Sequence, residues 1–161
     1  MPNAVGNIKI DCNGREPGAA PIGGGNVSAF RRVVHFGNGS SDSEIQDVYA
    51  AEFSIAGGDT QAVNLRALVD VSGNTVSLTK IAFIAIEAPE ENPDSVTVEP
   101  SAVNGWDSFL TDVADIPPGT GIVGFNTLAT EWLTDATHYG LTFTNTDPSV
   151  AAIVRLFVWG V

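Results

Sequence analysis

The chain has 161 residues, 43% of them apolar and 16% charged, with a formal net charge of −12. That length can bury a core without covalent staples, and the single cysteine, Cys12, excludes an intrachain disulfide. Residues 81–161 hold eleven acids against Arg155 alone, a surface that repels nucleic-acid phosphates and anionic membranes, so neither is expected as a partner.

The opening MPNAVGNIKI lacks the charged start and apolar centre of a signal peptide. No apolar run approaches the roughly 18–20 residues that span a bilayer. The expectation is a soluble protein made in a cytoplasm. Residues 1–29, with GREPGAAPIGGGNVSA, are rich in Gly, Pro and Ala and read as an extended arm that needs a partner to order it. Residues 30–161 read as the folded domain. There, short apolar runs alternate with turn chemistry. FRRVVHF (30–36) and VYAAEFSI (48–55) are followed by GNGSSDS and AGGD. In AVNLRALVDV (62–71), Val63, Leu65, Ala67, Val69 and Val71 recur at period two, the signature of a half-buried strand. TVSLTKIAFIAIEA (75–88) becomes continuously apolar at Ile81–Ile86, as a central strand covered on both faces would. SVTVE and GIVGF are further short strands. Residues 101–115 admit a helical turn, and 127–138 admit a strand or a short helix. YGLTFTN (139–145) and SVAAIVRLFVWGV (149–161) are expected to close the chain as a hairpin around TDP. About eight short strands without a long helix predict an all-β fold. It is expected to be an antiparallel β-sandwich, jelly-roll-like, with an extended N-terminal arm.

No catalytic, cofactor or metal constellation emerges. His35 and His138 match no HExxH or His-x-His spacing, and a structural role is expected for each. GNGS at 37–40 lacks the Gly-Lys-Ser/Thr of a phosphate loop, and no G-x-S-x-G elbow occurs. The acids Glu87, Glu90, Glu91, Asp94 and Glu99 crowd one loop without the Gly/Asn alternation of a calcium site, and read as solvated. Trp106, Trp132 and Trp159 have apolar neighbours, which favours core or interface packing. The alternative is a sugar platform, with Trp106 or Trp132 exposed beside a polar groove. Arg155 interrupts the last apolar run. It either meets a carboxylate, internal or across an interface, or carries its head into water.

One series of turn and strand signatures carries a resemblance. The pieces are Phe36-Gly37-Asn38-Gly39, Leu65 to Gly73, Leu78-Thr79-Lys80-Ile81, Leu141 to Asn145, and Ile153 to Gly160. Over residues 30–161 this pattern resembles small structural proteins of tailed phages and prophages. Trp106 to Asp115 and the acidic loop at 88–94 depart from it. The resemblance implies a non-enzymatic virion component, such as a capsid decoration or cement protein. Its partners would be the major capsid protein or other virion proteins, and it would be a homo-oligomer. It brings no catalytic residue. The alternative function is a carbohydrate-binding or adhesive module of tail or fibre type. For the assembly reading the interface residues expected are Arg31, Arg32, Arg155, Phe157, Trp159 and Val161. The closing strand Val150–Val161 is expected to pair with Tyr139–Asn145 and to place Phe157–Val161 at a subunit interface.

Overall fold

A computed structural model describes residues 6–14, 28–70, 73–128, 130 and 132–161, those before His35 by their backbone. Among the described residues thirteen strands follow one another: β1 (Gly6–Gly14), β2 (Ser28–Asn38), β3 (Glu44–Ile45), β4 (Asp47–Ile55), β5 (Thr60–Asn64), β6 (Leu68–Val69), β7 (Thr75–Val76), β8 (Ile81–Ala88), β9 (Val96–Pro100), β10 (Ala114–Ile116), β11 (Thr120–Phe125), β12 (Gly140–Asn145) and β13 (Ala152–Gly160). No helix occurs among the described residues.

Eight of these strands form two packed sheets, ordered β11-β8-β13-β4 and β10-β9-β12-β5. The pairing is nested. The first of the eight, β4, pairs with the last, β13; β5 pairs with β12, β8 with β11, and β9 with β10, all antiparallel. This is the connectivity of a jelly roll, a long hairpin rolled into two sheets. Its core interleaves Ile84, Ile86, Val154, Leu156 and Val158 from one sheet with Val96, Val98, Leu141 and Phe143 from the other. Period two produces this directly: in β13 alternate residues from Ala152 to Gly160 are buried, while Ile153, Arg155, Phe157 and Trp159 face outward.

The hairpin expected around TDP does not form. β12 and β13 lie in different sheets, and β13 is flanked by β4 and β8. The Asn-Thr-Asp-Pro-Ser turn chemistry serves a corner between sheets. Asn145 is buried, and its Nδ2 donates to the carbonyls of Ile55 (3.0 Å), Ala56 (3.1 Å) and Val150 (2.8 Å). Asp147 Oδ1 accepts from the backbone N–H of Ser149 and Val150. The closing strand is therefore covered on both edges within its own domain.

A second correction concerns 62–71. The strand stops at Asn64, whose Oδ1 accepts from Arg66 N at 2.8 Å and turns the chain. Leu65 and Leu68 are buried, whereas Val69 is 59% exposed, so the period-two expectation fails beyond Leu65. Val71 lies outside the described residues. The regions that admitted a helix, 101–115 and the described part of 127–138, are turns and bends, with β10 at the end of the first.

Within the stretch read as an arm, β1 pairs with β2 over nine residue pairs, from Gly6 opposite Phe36 to Gly14 opposite Ser28. Residues 1–5 and 15–27 lie outside the described residues. β2 runs parallel to β3 at its far end. FRRVVHF thus belongs to this separate ribbon, and the place it was expected to fill among the eight sandwich strands is taken by β10. Phe36, Ile45 and Ala82 form a small second core with Phe83, Phe125 and Trp159, which fastens the base of the ribbon to the jelly roll.

Candidate functional site

Strand register places the outward residues of the β11-β8-β13-β4 sheet in rows. One row is charged: Gly121, Glu87, Arg155 and Glu52 stand side by side across the four strands. Arg155 Nε donates to Glu52 Oε2 at 2.9 Å, and its guanidinium lies 3.6 Å from Glu87 Oε1. The hydrogen bond to Glu52, then the nearby Glu87 charge, raises the Arg155 pKa. The ion pair is internal, so the open choice for Arg155 resolves towards a partner within the chain.

The next row is apolar: Val123, Ala85, Phe157 and Ala50. Val123 is 56% and Phe157 38% exposed. Beyond it lies an aromatic row of Phe125, Phe83 and Trp159, ending in Val48. Trp159 packs 4.8 Å from Phe83 and meets Phe36 of β2 edge-on at 6.2 Å. The ribbon base covers part of this row, yet Val48 remains 54% exposed. An apolar strip therefore crosses the whole sheet between a charged row and an aromatic one.

Three of the expected interface residues, Arg155, Phe157 and Trp159, share this outer face. Val161 stands apart. Its carbonyl accepts from the backbone N–H groups of Thr79 and Lys80, which ties the chain to the start of β8. Arg31 and Arg32 lie in β2 opposite Asp11 and Ile10, and their side chains are outside what the structure describes.

Lys80, buried beside this end of the sheet, carried no expectation of its own. Its Nζ donates to the carbonyl of Ser41 at 2.9 Å. Burial lowers its pKa, partly offset by the charges of Asp42 and Glu44. It pins the loop before β3. In the acidic loop, Asn92 is buried and clasps the backbone of Ile153 through both side-chain atoms, at 2.7 Å each. The loop is thereby docked on β13 where the β8 ladder ends. Among the described residues no group of three or more His, Cys, Asp or Glu side chains is placed to share a metal ion.

A second candidate site lies where the loops after β9 and β11 meet. A cleft of about 320 Å³ is lined by Asp107, Ser108, Thr130, Trp132, Leu133, Asp135 and His138. Trp106 is fully buried beneath it. Trp132 is half-buried and stands edge-on to Trp106 (5.9 Å) and Phe109 (5.3 Å). Asp135 accepts from the N–H of Thr137 (2.6 Å) and His138 (2.8 Å) and from the Thr137 hydroxyl (2.8 Å). These bonds, the Thr137 N–H first, hold its carboxyl well below the usual carboxylate range. His138 Nδ1 faces the same carboxylate at 3.2 Å. Sequence reading considered Trp132 and His138 separately. Asp107, Ser108, Thr130 and Asp135 carried no signal, because two loops about 25 residues apart join only in the folded chain. Against known proteins, no family model matches the chain, and no curated protein matches it either.

Proposed function

We propose that the chain is a non-enzymatic structural component of a bacteriophage virion, a capsid decoration protein that docks on the head lattice through its outer sheet face and its N-terminal ribbon. The observation that carries this reading is the apolar strip Val123–Ala85–Phe157–Ala50 on a face that a monomer would present to water. Contiguous exposed apolar rows mark protein contacts. The strip is bordered by the Glu87–Arg155–Glu52 row, which adds direction to such a contact. Among the described residues β1 has a strand beside it on one edge only. That edge can accept a strand from a partner, and two strands paired alone, as β1 and β2 are beyond the fastened base, are marginal in water without cover.

Two weaker supports agree. Jelly rolls serve viral capsid domains as well as lectins, which is analogy at the level of the fold. The turn and strand signatures over residues 30–161 resemble small tailed-phage proteins.

The test is co-sedimentation of the purified chain with tailed-phage heads built from a major capsid protein, with native mass measured in parallel. Saturable, stoichiometric binding that Phe157→Lys abolishes at unchanged melting temperature supports the reading. A chain that stays monomeric and never sediments with the heads refutes it.

A further inference from the structure

The cleft between the loops after β9 and β11 is independent of the outer sheet face and has its own chemistry. It combines one indole and Leu133 with a rim of hydroxyls, carboxylates and an imidazole. Such a lining suits a ligand with an apolar face and a polar edge. A purely apolar ligand would leave Asp107 unmatched. An anionic ligand would meet both carboxylates, in a stretch where residues 81–154 contain no Lys or Arg. A quaternary ammonium is best held by several rings arranged as a cage, and of the three aromatic rings here only Trp132 lines the cleft.

The ring is fixed in place before any ligand arrives. Trp132 adopts a left-handed backbone (φ 51°), a conformation costly for a bulky residue. Its carbonyl accepts from Ile81 N at 3.0 Å. Trp106 Nε1 donates to the carbonyl of Leu133 at 3.1 Å. Gly124 leaves the space its ring occupies: a Cβ there would sit 2.7 Å from Trp132 Cη2. On the rim, the Asp135 carboxylate can only accept, so in the neutral form of His138 the proton sits on Nδ1 and Nε2 is left as an acceptor. Ser108 and Thr130 offer hydroxyls, and Asp107 offers a second carboxylate acceptor.

We propose that this cleft binds a neutral pyranose, its C–H face against the Trp132 indole and its hydroxyls donating to Asp107 and to Nε2 of His138. The cleft volume, about 320 Å³, is at the small end of ligand sites and fits a terminal sugar unit rather than a long chain. Pre-organisation of Trp132 limits the entropy lost on binding. The carboxylates favour neutral sugars over uronic, sulfated or sialylated ones.

The test is ligand-observed saturation-transfer NMR on the full chain. The probes are methyl glucoside, methyl galactoside, methyl mannoside and N-acetylglucosamine at millimolar concentration, with glucuronic acid, sialic acid and choline as comparators. At least one neutral sugar should bind saturably and shift tryptophan emission. Its affinity should fall about tenfold or more in His138→Ala and in Asp107→Ala, each removing one hydrogen-bond partner. Trp132→Ala should abolish binding. Because that change also disturbs packing on Trp106, the two rim variants decide the matter if it fails to fold. Absence of binding by all four neutral sugars overturns the proposal. So does binding that both rim variants leave unchanged, or a preference for the acidic sugars or choline.

Discussion

Asn145 joins three segments that no hairpin would bring together, and its replacement measures what the corner between the sheets contributes. The side chain is 1% exposed. Its two Nδ2 hydrogens serve the carbonyls of Ile55, Ala56 and Val150, and its Oδ1 accepts from Asp147 N at 3.0 Å. Asn145→Ala removes about three bonds and strands buried carbonyls, at about 1–1.5 kcal/mol each, so roughly 3–4 kcal/mol in all. Against a total stability of about 5–15 kcal/mol this is a large fraction. In a domain of this size it lowers the melting temperature by about 6–15 °C. Asn145→Asp is the sharper variant. It keeps the shape and the acceptor but points a carboxylate oxygen at three carbonyls in a buried site. At pH 7 it should be less stable than Asn145→Ala, although it resembles asparagine more closely. Burial raises the introduced carboxyl's pKa above its unfolded value, so the deficit is largest at neutral pH. It should shrink as pH falls towards about 4, where protonation restores a donor. Urea titrations followed by tryptophan fluorescence at pH 7 and near pH 4 read both effects. Equal stability of the Ala and Asp variants at pH 7, or an Ala variant within about 1 kcal/mol of wild type, would refute the reasoning.

Trp106→Ala should cost about 3–5 kcal/mol, the range for a fully buried aromatic, and should expose Trp132 to a water-soluble quencher. Arg155→Glu places three carboxylates in one row with Glu52 and Glu87; the melting temperature should fall, and by less at high salt, where screening weakens the repulsion. Asp135 has a depressed folded-state pKa, so its contribution is complete above the ordinary carboxylate value and fades as pH falls towards the lower folded value. The stability gap between wild type and Asp135→Asn should therefore be flat above about pH 4 and narrow below it, in thermal melts across pH. Gly124→Ala should displace Phe109 and Trp132 and change tryptophan emission while the protein stays folded, as overpacking at a rim costs about 1–3 kcal/mol.

The fold class was legible where local pattern and tertiary role coincide. β8 reads as a central strand and lies between β11 and β13, but the expected cover on both faces fails: Ile84 and Ile86 are buried on one face, whereas Ala85 and Glu87 face outward on the other. Arg155 stood open in the sequence between a carboxylate partner and water, and only the register shows why an arginine belongs there: it faces outward with glutamates on both neighbouring strands. What failed were decisions made by single side chains acting at a distance. Asn64 ends a strand whose apolar rhythm continues past it. Asn145 bonds to residues 89 and 90 positions away, so its turn residues looked like a hairpin. β10, three residues long, carries too little pattern to be seen, whereas FRRVVHF carries a clear strand pattern but pairs outside the two main sheets. The cleft around Trp132 was half visible: an exposed indole beside polar groups could be anticipated as a possibility, but not which loops would supply those groups.

The nested pairing has a consequence for how the chain reaches its native state. Glu52 and Arg155 face each other across 103 positions of sequence, and between them lie the turns that set the other ladders of the two main sheets. Short-range contacts alone cannot assemble either sheet. Closing such long loops costs entropy before any burial repays it, and all-β chains with distant pairings fold on the millisecond-to-second scale. Until β13 arrives, β4 and β8 present open, apolar edges towards each other. The refolding rate should therefore respond more strongly to changes in β13 than to equal changes in β10, and the unpaired interval is when the chain is most exposed to aggregation.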